Sequence, residues 1–156
     1  MKKFRLSTNL ILMLGLILTA PVLCYAQGSS LAKVLDIKGE AMFMKAGASG
    51  WDKLDSTTIL EEGDSIKTGP QAEVQLELMG AAKTAELTIR QETEFKFDTF
   101  RFDEATQTDS TLLNIGVGSV LVKAEKLVGD SKFEVKTPVS IVGIRGTVFE
   151  VNVPKA

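Results

Sequence analysis

Residues 72–78 read Ala-Glu-Val-Gln-Leu-Glu-Leu, apolar at every second position and polar between. A helix needs its apolar residues at a period near 3.6, so this run fits a strand with one face buried and the other wet. Residues 84–90 repeat the pattern, with Ala85, Leu87 and Ile89 on one face, and so do residues 94–98 and 132–136. No long helical period follows the first 26 residues.

Turn chemistry cuts these runs into short pieces. Ile37-Lys38-Gly39 divides strands expected over 32–36 and 41–45. Glu62-Gly63-Asp64 introduces a strand over 65–68, Gly69-Pro70 ends it, and Met79-Gly80 closes the run at 72–78. Asn114-Ile115-Gly116 and Gly118 read as a break before a strand over 119–124, and Gly129-Asp130 as a further turn. Residues 124–127 have room for one turn of helix and no more. In the long polar connection 98–110, Phe100 and Phe102 extend the preceding strand and leave 103–109 as a loop. Short strands at this spacing predict an all-β sandwich or barrel.

The first residues read as an address. Lys2, Lys3 and Arg5 form a basic region, residues 10–23 are almost wholly apolar, and Cys24-Tyr25-Ala26 gives a small-x-small cleavage site. The expectation is a signal peptide over 1–26, cleaved after Ala26, and one domain over 27–156, in the periplasm or secreted. The apolar run is short against the roughly 20 residues of a membrane span, so no stable span is expected after cleavage. An uncleaved anchor is the alternative. A lipoprotein reading of Cys24 meets Leu23 where a small residue is needed.

Cleavage takes away the only Cys, and the chain has no His. No disulfide can then form within the domain, and stability rests on an ordinary core. Three basic residues leave with the leader, so 18 fall to 15 against 20 acidic ones, a net charge of about −5. Nucleic acid and anionic lipid, which need a basic footprint, are excluded as expected partners. Without imidazole or thiolate, and with no carboxylate pair standing out, the chain reads as no enzyme. No cofactor is expected. Asp98, Asp103, Glu104 and Asp109 could make only an irregular oxygen site for Ca²⁺, without the glycine of a calcium loop, and no metal site is assigned.

Three segments carry a family resemblance. Trp51-Asp52-Lys53-Leu54 precedes Leu60-Glu61-Glu62-Gly63-Asp64-Ser65-Ile66-Lys67-Thr68; the alternating run 72–78 follows; and Phe133-Glu-Val-Lys-Thr137-Pro138 leads through Val142 to Arg145-Gly146-Thr147 and Phe149. In this order they resemble the FecR domain, a periplasmic β-domain of iron-transport regulators. The resemblance implies a jelly-roll-like β-sandwich and a binding or signalling module. Such regulators pass a signal from an outer-membrane transporter to a cytoplasmic sigma factor, using a cytoplasmic segment and a membrane helix ahead of the domain. Neither is expected here, so the module is expected to be accessory to surface signalling or transport regulation.

The signature residues Gly63, Asp64, Thr68, Thr137, Pro138, Arg145, Gly146, Thr147 and Phe149 are read first as structural. Counting by twos back from Val151 puts Arg145 on the apolar side, where its guanidinium needs a carboxylate such as Asp64. A bulge at Gly146 turns Arg145 outward instead, toward recognition. Gly63-Asp64 suits a tight turn, and Gly143 and Gly146 suit a bulge or close backbone approach. Trp51 either closes one end of the sandwich with Leu54 or offers a stacking platform to a ligand. The leading function is binding a protein partner at the cell envelope, with 119–124 a candidate edge for β-augmentation. Binding a glycan or peptidoglycan, and self-association, are the alternatives.

Overall fold

The computed structural model describes residues 28–80 and 82–155, so the expected leader lies outside the described residues. The chain is all-β, as the alternation predicts, and no described residue is helical. Over 124–127, where one helical turn had room, Ala124 ends a strand and residues 125–127 are irregular instead. The strands in chain order are β1 Gly28–Ser29, β2 Leu31–Lys38, β3 Ala41–Met44, β4 Asp52–Lys53, β5 Ile59–Leu60 and β6 Ser65–Thr68. They continue with β7 Glu73–Met79, β8 Lys83–Ile89, β9 Glu94–Asp103, β10 Thr108–Ala124, β11 Lys132–Lys136, β12 Ile141–Ile144 and β13 Val148–Val153.

These strands make a curled sheet whose two halves share β10. One half runs β4-β3-β6-β9-β10-β11-β12, with β1 beside the far end of β9; the other runs β5-β2-β7-β8-β10-β13. Every pairing is antiparallel except β10 with β11. The chain passes repeatedly between the halves, and neighbouring passages are tied together. Gly69 N–H donates to the Glu40 carbonyl at 2.9 Å, between the β6–β7 and β2–β3 passages, and Glu92 N–H donates to the Gly69 carbonyl at 3.2 Å. Glycines mark these corners because a backbone lies where a side chain would stand: a Cβ on Gly39, whose φ is +74°, would sit 2.8 Å from Ala72 Cα.

At β10 the structure departs from the sequence reading. Residues 114–118 are not a break; they lie inside one strand that runs from Thr108 to Ala124. Its first part pairs with β9 and β11 and its last part with β8 and β13. The glycines bend the strand rather than end it: the register with β9 shifts between Ile115 and Val117, and Gly118 has φ +99°. Thr93, wholly buried in the passage from β8 to β9, packs into that bend and accepts a hydrogen bond from Ser119 N–H at 3.0 Å. Because residues 120–123 are paired on both sides, the expected open edge at 119–124 does not exist.

The inward residues of both halves meet in one apolar cluster. β7 contributes Val74, Leu76 and Leu78, β8 contributes Ala85, Leu87 and Ile89, and β10 contributes Leu113, Ile115, Val120 and Val122. Phe97 is wholly buried, stacked on Phe100 at 5.1 Å and edge-on to Phe95 at 4.9 Å. Burying each such side chain contributes about 1.5–3 kcal/mol, which lets the domain stand on its core alone. Phe100 does extend the strand: β9 continues to Asp103, and the turn shortens to 104–107. At that end Glu62 accepts from Phe100 N–H at 3.0 Å and from Arg101 Nε at 2.6 Å. The Arg101 hydrogen bond outweighs partial burial and holds the Glu62 carboxyl below its ordinary range.

Candidate functional site

Asp64 is buried, and its carboxylate knots the loops at the start of β6. Oδ1 accepts from Ala46 N–H at 2.9 Å; Oδ2 accepts from Glu61 N–H at 2.9 Å and from Lys45 Nζ at 2.8 Å. Its main chain adds a bond from Phe97 N–H at 3.0 Å, while Gly63 N–H donates to the Phe97 carbonyl at 2.7 Å. Gly63 has φ +86°, and a Cβ there would stand 2.8 Å from that of Ala46. Burial pulls the Lys45 amine down, but the hydrogen bond and charge of Asp64, with the charge of Glu61, outweigh it and hold the amine above its ordinary value. The geometry is that of a clamp, with every short contact turned inward.

Thr68 does similar work one strand later. Its hydroxyl donates to the Arg90 carbonyl at 2.6 Å and accepts from Thr93 N–H at 2.9 Å, tying the end of β6 to the passage between β8 and β9. Thr137 and Pro138 make the turn that joins β11 to β12. The Thr137 hydroxyl accepts from Ser140 N–H at 3.1 Å, and Thr137 N–H donates to the Ser140 carbonyl at 2.8 Å. Proline's fixed φ suits the first central position of such a turn.

Arg145 corrects the inward reading. Its side chain is exposed, it has no ion pair among the described residues, and Asp64 is held by Lys45 instead. Counting by twos fails because the strand does not run through: β12 ends at Ile144, and Gly146, at φ +72°, turns the chain toward β13 in the other half. A Cβ on Gly146 would lie 2.8 Å from Lys126 Cα, and the Thr147 carbonyl accepts from Ala124 N–H at 3.0 Å. Phe149, past the turn, packs half-buried against the core opposite Val122. Arg145→Ala is therefore expected to change stability by less than about 0.5 kcal/mol, read from chemical denaturation.

Trp51 does not close the sandwich; Leu54 is buried but Trp51 is 38% exposed and stands outside the core cluster. The acids of the loose calcium reading do not converge. Asp98 accepts from Asn114 Nδ2 at 2.8 Å, and Asp103 accepts from Ala105 and Thr106 N–H at 2.8 and 3.0 Å. The bonds from Thr106 and Ala105 hold the Asp103 carboxyl below its usual range. Among the described residues no group of three or more acids, His or Cys is placed to hold a metal ion.

Among the described residues β4, β5, β12 and β13 each pair on one side only, and of those longer than two residues β12 alone carries no charge. It pairs only with β11, so its other edge is open among the described residues. Val142 and Ile144 lie opposite the buried Val135 and Phe133, hence on the core side, yet Val142 is 45% exposed where the sheet runs out. Ile141 on the outer face is 60% exposed, and Val139 in the turn is 93% exposed. Sheet edges are commonly blunted by Lys, Pro or a covering loop; Ile141-Val142-Gly143-Ile144 contains no charge and no proline. That run was legible as an apolar stretch without alternation, but its place at an edge was not.

A family model described as FecR protein matches residues 64–156, from the buried Asp64 through the β12 edge to the end of the chain. No curated protein and no solved structure matches.

Proposed function

The chain belongs to the FecR family, whose domain is found in envelope signalling regulators, and from that premise we propose that it is a noncatalytic envelope module that takes a protein partner along the open edge of β12. One observation carries this reading: a strand paired on one side only presents Ile141 and Val142 to solvent, with the core-side face of the sheet uncovered beside it. An extended partner segment would satisfy the free backbone groups of the edge and lay one apolar side chain over Val142. The signature residues support this by rigidity. Thr137 and Pro138 hold one end of β12, and Gly146 holds the other. Such an edge is a place for an accessory of surface signalling to meet its transporter or regulator after export behind the leader at 1–26.

The test places a photoreactive side chain at Ile141 in living cells, with Asn152 on β13 as the control. Capture of an envelope protein from position 141 and not from 152 is expected. Val142→Lys is expected to abolish it while leaving the unfolding midpoint unchanged, because a lysine on the edge opposes an added strand. Equal capture from both positions, or none from 141, refutes the edge. Capture of only a second copy moves the protein to the self-associating class.

A further inference from the structure

The outer face of the β4–β12 half carries a row of polar side chains that the β12 edge does not use. Register sets Ser65 opposite Lys96, Lys96 opposite Asn114, and Asn114 opposite Lys136. These side chains cross β6, β9, β10 and β11, a line roughly 14 Å long at ordinary strand spacing. Asp98 organises it: besides the Asn114 amide, its carboxylate lies 3.4 Å from Lys96 Nζ and 4.0 Å from Lys136 Nζ.

Trp51 stands over the same place. With Ser65, Glu94, Lys96, Asn114 and Gly116 it lines an open depression of about 220 Å³. The floor is bare at Gly116, where an added Cβ would meet only the Glu94 carbonyl, at 3.9 Å. Glu94 is steadied by Lys67 at 2.7 Å. The chain's single tryptophan is thus left half in water beside pre-positioned amide, hydroxyl and ammonium groups, although a ring of that size would contribute more to the core if buried.

A flat apolar face next to a rim of donors and acceptors matches the two surfaces of a pyranose ring, its C–H face and its hydroxyl edge. We propose that this depression binds a linear oligosaccharide of pyranose rings, one ring stacked on Trp51 and its neighbours bonded through Ser65, Lys96 and Asn114. The row's length across four strands favours a chain over a single sugar. A polyphosphate ligand is disfavoured, because Asp98 and Glu94 place carboxylates beside the lysines.

Trp51 is its own reporter, so the purified protein is titrated with cellohexaose and, separately, chitohexaose while its emission is followed. A saturable change with one of them is expected. Asn114→Ala, and Gly116→Val, which fills the floor, are each expected to weaken it about tenfold or more without moving the unfolding midpoint. Trp51→Ala, measured by calorimetry, is expected to lose binding to the same extent, and Val142→Lys to retain it, since Val142 lies on the opposite, core-side face of the sheet. The proposal fails if neither sugar changes the emission at millimolar concentration, or if the change survives both Asn114→Ala and Gly116→Val.

Discussion

Gly118→Ala is expected to lower the stability of the domain by about 2–5 kcal/mol, through backbone strain and overpacking together. Gly118 holds φ +99°, which a residue with a Cβ rarely adopts, and the new carbon would stand 2.5 Å from Thr93 Cα and 2.2 Å from Thr93 Oγ1. Thr93 cannot withdraw: it is wholly buried and its hydroxyl accepts from Ser119 N–H. The strained point lies where β8, β9 and β10 pass together from one half of the sheet to the other, so the loss is expected to be global, not a local fraying. Equilibrium denaturation measures it. Gly129→Ala is the control, since Gly129 also has positive φ, +60°, but a Cβ there meets nothing within 4 Å. It should cost about 1 kcal/mol, the backbone part alone. Equal losses for the two would mean that the contact with Thr93 contributes nothing.

Asp64→Ala is expected to cost about 2–4 kcal/mol, from the donors it leaves behind. Ala46 N–H and Glu61 N–H both end on its carboxylate, and the Lys45 ammonium loses its nearest anion. The ion pair is the smaller part. Lys45 keeps 44% of its side chain in water and lies 3.5 Å from Glu61 as well, so Lys45→Met should cost about 1 kcal/mol or less. A loss on Lys45→Met as large as that on Asp64→Ala would show that charge, and not the two backbone bonds, holds the loops together. Asp64 opens the stretch that matches the FecR family, and its geometry accounts for that acid by loop closure alone.

How much of this was legible depended on whether the decisive contact was local. The strand at 132–136 stands where the alternation put it, and the one at 65–68 where the flanking turn signals put it, because both cues are written in consecutive residues. The turn role of Gly63-Asp64 was equally readable, since positive φ and a short acceptor are properties of the residues themselves. Glycines misled at 114–118: the same lack of a Cβ that permits a turn also permits a bulge, and which occurs depends on whether a partner strand runs alongside. Arg145 misled for a related reason. Parity carries along a strand only while it is continuous, and Gly146 ends that continuity.

The sequence alone determined an all-β domain with one apolar face per strand, and it placed Gly63 and Asp64 at a turn. It did so because side-chain alternation and backbone permissiveness act over a few residues. Which strands are edges was decided only in the tertiary structure. Residues 120–122 and 141–144 are both short uncharged stretches; the first, inside β10, is paired with both β8 and β13, and the second has β11 alone. Trp51 meets Lys96 and Asn114 by the same kind of long-range pairing, across strands far apart in the chain. Hydrogen bonds between distant segments carry no local signature, so the open edge and the depression beside Trp51 alike exist only once the sheet has closed.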